Sequence, residues 1–180
     1  MRVFGFLLVL TLVLLGIANG GELSAFFDLT AVLIVLGTTI GGFLMAAGPQ
    51  TGQAIGAAFS GSASDDRVRA GLHGFRGGRF GALVGGFLSV LIGLILVLNN
   101  ADDPGAIGPG LALMLLGFLW GVFLCYFILL PLQAGMERRL IEAGAEDVVC
   151  SEMALDLLVL GGGVLICTVF FAILKAAFPG

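Results

Sequence analysis

The hydrophobic positions of the chain fall into five long runs separated by short polar segments. The runs cover Val3–Ala18, Leu29–Ala47, Phe80–Leu98, Leu111–Leu132 and Leu155–Phe178. A helix of about 20 apolar residues is long enough to cross a bilayer. The pattern therefore predicts an all-α protein, a polytopic bundle of about five transmembrane helices in one membrane domain over residues 1–180. The segments 48–79 and 133–152 are predicted to be loops.

The first run has an alternative interpretation as a secretory signal peptide, because it is short and follows Arg2. Against this, Ala18-Asn19-Gly20 behind the run is not a clean small-x-small cleavage site. We therefore expect residues 3–18 to form the first span.

Composition excludes a soluble fold. Hydrophobic residues make up 59% of the chain, charged residues 11%, and the mean hydropathy is +1.14. Soluble domains carry about 25% charged residues. The net charge of −4 is spread over several loops, and no basic face suggests nucleic-acid binding. The three cysteines form no paired motif, so we expect no disulfide.

The basic residues predict the orientation in the membrane. Seven of the eight lie at the N-terminus or in segments 48–79 and 133–152, and the eighth is Lys175. Cytoplasmic loops carry the excess of Lys and Arg. The N-terminus is therefore expected in the cytoplasm and the C-terminus outside.

Glycine is enriched, with 30 residues, and forms small-x-x-x-small pairs within the runs. The pairs are Gly37 with Gly41, Gly81 with Gly85, and Gly117 with Gly121. Such pairs let membrane helices approach closely, so they predict a tightly packed bundle or an oligomer. A second glycine-rich stretch, residues 71–79, is predicted to be a flexible hinge whose arginines face anionic headgroups.

The interiors of the runs contain no ionisable residue, and Asp28 is expected at a span end, within reach of the headgroups. An ion-coupled transporter needs a titratable group at mid-depth. If the protein moves ions, another polypeptide must therefore supply that group. No catalytic, metal-binding or cofactor-binding pattern is present; His73 is interpreted as a surface residue, and the protein is not expected to be an enzyme.

Residues in two stretches, roughly 24–48 and 80–140, resemble the MotA/TolQ/ExbB proton-channel family, and MotA most of all. Residues 102–112, with Pro104 and Gly108, resemble the family's outer loop D-P-x-x-I-G-x-x-x-A. Residues 115–121, with Trp120, resemble the following L-L-T-T-x-Y-G span, and Pro131 stands at its expected inner end. Residues 27–38, with Asp28, resemble MotA's second span, and residues 89–95 its third.

The resemblance implies a ring of five subunits around two single-span partner helices of the MotB/TolR/ExbD type. The partner's aspartate would bind the proton, and ion passage would rotate the ring. Residues expected near the ion path and the partner are Ser89, Val90, Gly93, Gly117, Phe118 and Gly121.

The departures from the family pattern shape the functional hypotheses. Gly117 and Phe118 replace a threonine pair, and Val90 replaces another threonine, which disfavours sodium coupling. The inner loop of about 30 residues is too short for a flagellar role, and the fifth run is an addition. The first hypothesis is a proton-conducting subunit of an ion-driven motor, which energises an envelope process through its partner. The second is a non-conducting scaffold ring. A small-solute transporter is third, because the two halves show no inverted repeat.

Overall fold

A computed structural model describes residues 26–60, 63–100 and 104–144, together with individual positions between 8 and 19 and between 161 and 175. All regular structure in these residues is helical. Three helical segments are long and apolar enough to cross a membrane: Leu29–Phe59, Asp65–Asn99 and Ile107–Glu142. A shorter apolar helix follows at Gly161–Phe170. The predicted all-α bundle is confirmed for these segments, whereas the run at 3–18 lies largely outside the described residues.

Helix α1, Leu29–Ala47, has the bounds that the hydrophobic run predicts. The Asp28 carboxylate caps it by accepting the backbone N–H of Ala31 at 2.9 Å. The helix ends at Gly48, whose φ of 57° lies in the left-handed region that favours glycine. A 3-10 turn, Gly48–Gln50, leads into the short helix α2, Thr51–Phe59.

Helix α3, Asp65–Asn99, begins 15 residues before the apolar run that predicted it. Its 35 residues span about 52 Å at 1.5 Å per residue, which exceeds the hydrocarbon thickness of a bilayer. The expected hinge at 71–79 is therefore wrong, since this stretch is continuous helix. Its glycines pack closely against neighbouring helices. This packing offsets the destabilisation of the helix, which is about 1 kcal/mol for each glycine relative to alanine.

Helix α4, Pro104–Phe123, continues through a π-helical turn, Leu124–Leu129, into helix α5, Leu130–Glu142. Pro131 follows this turn by two residues. Proline lacks the N–H of a regular helical bond, and its ring clashes with the carbonyl four residues earlier. The wider π turn lets the chain pass Pro131 without ending the helix.

Helix α3 lies between α1 and α4 and uses glycines to contact both. On the α1 side, Gly77 meets Gly42, and Gly81 and Gly85 meet Thr38. The α4 side is equally close: the contacts are Gly86 with Gly117 and Gly121, Gly93 with Gly110 and Met114, and Ser89 with Gly117. Gly37 and Gly41 instead have open space around them, and Gly42 makes the close contact of α1.

These contacts predict different outcomes for two neighbouring glycines. Gly42→Leu is expected to lower the free energy of unfolding by about 1–3 kcal/mol, because its Cβ would overlap the backbone of Gly77. Gly41→Leu, one residue away in open space, is the matched control and should change it little. Denaturant titration of the solubilised subunit measures both. Equal effects would contradict the assigned contact.

Candidate functional site: the α3–α4 seam and the polar cluster at its inner end

The residues expected near the ion path meet along one line, the seam where α3 crosses α4. Ser89, Val90, Gly93, Gly117 and Gly121 are all buried there. The Ser89 hydroxyl donates to the Gly85 carbonyl at 3.0 Å, within its own helix. Within a single chain the seam is therefore a packed contact, and its one serine hydroxyl is satisfied by the backbone.

Phe118 is half-buried beside this seam. Its ring packs edge-on against Phe87, with centroids 6.1 Å apart at 72°. Both rings flank an apolar cluster of Val90, Met114 and Ile166. Phe118 therefore lies where α3, α4 and the C-terminal helix Gly161–Phe170 meet. We name this last helix α6.

Trp120 joins α4 to the beginning of α1. Its indole N–H donates to the Phe26 carbonyl at 3.2 Å, and its ring lies 5.4 Å from that of Phe27 at 76°. Phe123 packs on Trp120, and Phe127 stacks on Phe123. The side chain of Trp120 therefore reaches from α4 to the chain just before α1.

The glycine contacts between α1 and α3 give the level of Asp28 in the bundle. Val35 of α1 lies level with Gly85 of α3, so an antiparallel continuation places Asp28 near residue 92. That level is roughly 9 Å inside the outer end of the apolar run 80–98. The contacts of Gly93 with Gly110 and Met114 put the same level beside the beginning of the run 111–132, so Asp28 lies near the outer end of that run. Its carboxylate is engaged by the Ala31 N–H.

A polar cluster lies at the other end of the seam. Arg79 is only 2% exposed, and its Nη1 donates to Gln133 Oε1 at 3.0 Å. The guanidinium lies 5.8 Å from the centre of the Tyr126 ring, a cation–π distance. Gln133 donates to Glu137 Oε1 at 2.8 Å, and the same oxygen accepts Arg76 at 3.1 Å. We name these five residues the inner cluster.

The inner cluster corrects the expectation that Arg79 faces the headgroups. A buried charge needs hydrogen-bonded partners, and α5 provides them from one face, at positions 133 and 137. Sequence reasoning missed this arrangement. The available signal was an arginine pair three residues apart on one helix and a Gln/Glu pair four residues apart on the other.

Arg139 links α5 to the end of α2. Its Nη1 donates to the carbonyls of Ala57 at 3.2 Å and Ser60 at 2.7 Å. A cation at a helix C-terminus interacts favourably with the helix dipole. Together with the inner cluster, this contact fixes the inner ends of α2, α3 and α5 as one unit.

The remaining residues of the family pattern have structural positions. Pro104 begins α4, an added Cβ on Gly108 would meet nothing within 4 Å, and Pro131 follows the π turn. His73 is exposed and Cys125 is fully buried. Within the described ranges, no three His, Cys, Asp or Glu side chains come together as metal ligands.

The inner cluster predicts a large asymmetry between two substitutions on α5. Gln133→Leu removes an acceptor of the buried Arg79 and is expected to lower the free energy of unfolding by at least about 2 kcal/mol. Arg138→Leu removes only an exposed pair with Glu142, so the expected loss is below about 1 kcal/mol. Denaturant titration measures both. A Gln133→Leu loss no larger than the Arg138→Leu loss would contradict the role of the cluster.

Three known proteins are similar to part of the chain. Chemotaxis protein PomA of Vibrio alginolyticus is 36% identical over an alignment of 90 positions, which covers 45% of this chain and 36% of PomA. Motility protein A of Cereibacter sphaeroides is 34% identical over 71 residues, 39% of this chain and 26% of that protein. Motility protein A of Aquifex aeolicus is 43% identical over 53 residues, 29% and 21% of the two chains. No protein-family model matches the chain.

These matches confirm the resemblance as distant homology to MotA and PomA motility proteins, of the MotA/TolQ/ExbB family, over about 40% of the chain. The chain covers little more than a third of PomA and about a quarter of the Cereibacter protein.

Proposed function

We propose that the protein is an ion-conducting subunit of a MotA/TolQ/ExbB-like motor in the bacterial inner membrane, coupled to protons. It energises an envelope process and is not an enzyme. The observation that carries the proposal is the homology to PomA and motility protein A. Three long apolar helical segments in the structure support a membrane location.

The proton-binding group is proposed to come from a single-span partner of the MotB/TolR/ExbD type, present in two copies. The runs 80–98 and 111–132 support this, because neither contains an ionisable residue. The Asp28 carboxylate precedes the run 29–47 and caps α1. The residues proposed to serve the ion path are those of the seam: Ser89, Val90, Gly93, Gly117, Phe118 and Gly121.

The subunits are proposed to form a homopentamer. Gly37 and Gly41 support this assembly, because they form a small-residue pair on α1 that nothing in the subunit's described residues fills. Leu33, Ile40 and Leu44 on the same helix are exposed, which a neighbouring subunit or lipid would cover. A neighbour's helix can approach α1 closely at the two glycines.

Native mass spectrometry tests the assembly. The protein is expected as a pentamer, and Gly41→Leu is expected to shift it toward smaller species without unfolding the subunit. Gly108→Leu is a matched control, since Gly108 is also open but lies outside the proposed contact. A stable monomer or dimer of the unaltered protein would contradict the proposal.

A non-conducting scaffold ring is the second candidate. It is favoured by the Ser89 hydroxyl, which donates to its own helix, and by Phe118, which packs in an apolar cluster. In the single chain Ser89 is fully buried, and the ring of Phe118 has no oxygen that could coordinate a cation.

Proton flux in proteoliposomes, with and without the single-span partner, separates the two candidates. For a conducting subunit, Phe118→Thr is expected to raise proton leak or admit sodium, because a hydroxyl replaces an apolar ring; Phe118→Leu should change little. For a scaffold, both variants stay at background. Gly117→Leu is expected to disrupt the seam in either case, because its Cβ overlaps Ser89.

A further inference from the structure

Helix α6 is seated on a face formed by α3 and α4 beside the seam. Ile166 is 6% exposed and clusters with Val90 and Met114. Leu165 next to it is 65% exposed. One side of α6 is therefore buried against the subunit, and the other is open to the surroundings.

The surface of α3 and α4 that α6 covers leaves space only for small residues of α6. A Cβ on Gly162 would overlap the ring of Phe87, and one on Gly163 would lie 3.4 Å from Phe118. Gly161, the preceding residue, has open space around it. Two successive glycines thus cover the Phe87–Phe118 pair, where a larger side chain at Gly162 has no room.

The contact of α6 with this face differs from the contacts that α3 makes with α1. The nearest atoms to Gly162 and Gly163 are ring atoms at the ends of side chains, whereas Gly42 and Gly77 meet each other's backbone. Removing α6 would leave the backbone contacts of α3 with α1 and α4 unchanged. The face also adjoins the seam, since Val90 and Phe118 neighbour Ser89 and Gly117 in the sequence.

We propose that the aromatic face of Phe87, Val90, Met114 and Phe118 is a receptor for one membrane helix with small residues at its contact. Helix α6 occupies it within the same chain, and the single span of a partner reaches the seam by displacing α6. The identity of that displacing helix rests on the proposed function, whereas the receptor itself does not.

The test uses the full chain in nanodiscs and, as probe, a fluorescent peptide of residues 155–178 of this chain. In the unaltered protein, α6 fills the face and the peptide binds weakly. Gly162→Leu is expected to unseat α6, so the peptide should bind at least about tenfold more tightly. Gly161→Leu is the matched control and should behave as the unaltered protein.

A second substitution checks that the change acts at Phe87. Phe87→Ala, combined with Gly162→Leu, makes room for the leucine, so α6 should return and peptide binding should fall again. A peptide that itself carries Gly162→Leu should not bind the Gly162→Leu protein. Equal peptide binding to all variants, or to none, would overturn the proposal.

A chain with photoreactive p-benzoylphenylalanine in place of Phe118 provides a measurement that needs no displacement of α6. Cross-links within the chain to residues 161–170 are expected, and cross-links to lipid alone would overturn the proposal. Normal peptide binding without proton flux would contradict the proposed function and leave the receptor standing. Proton flux without tighter peptide binding to the Gly162→Leu protein would overturn the receptor and leave the proposed function standing.

Discussion

The close approach of α3 to both α1 and α4 through glycine is the contact on which the rest of the structure depends. Lipid provides no hydrophobic force between apolar helices, so packing and hydrogen bonds must hold them together. Gly77 and Gly81 bring α3 against the backbone of α1, and Gly86 and Gly93 bring it against α4. The same contacts keep α3 helical through a glycine-rich stretch that has low helix propensity by itself.

These contacts also set the stagger of the helices, and the stagger positions the polar groups. With Thr38 held between Gly81 and Gly85, the side chain of Trp120 reaches Phe27 at the start of α1. At the other end, the close approach brings Gln133 within reach of Arg79, so that an arginine is buried at the inner end of an apolar bundle. The close approach of α3 to α1 and α4 thus positions both the Asp28 carboxylate and the Arg79 guanidinium.

The sequence was sufficient for properties that depend on one segment at a time. The bounds of α1 and the family resemblance both follow from local pattern. Properties that depend on two segments were out of reach. The hydrophobic pattern gives no stagger between helices, so it did not predict the surroundings of Arg79. It also gave no sign that Gly162 would cover Phe87, because the fit depends on the two helices meeting at one level.

The stagger can be measured directly, because Trp120 is the single tryptophan of the chain. A nitroxide is attached at Asp28→Cys or, separately, at Gln50→Cys beyond the other end of α1, with the native cysteines replaced by alanine. Strong quenching of Trp120 fluorescence is predicted from position 28, since the neighbouring Phe27 ring lies 5.4 Å from the indole. Little quenching is predicted from position 50. Equal quenching from both positions, or stronger quenching from position 50, would contradict the stagger that the glycine contacts impose.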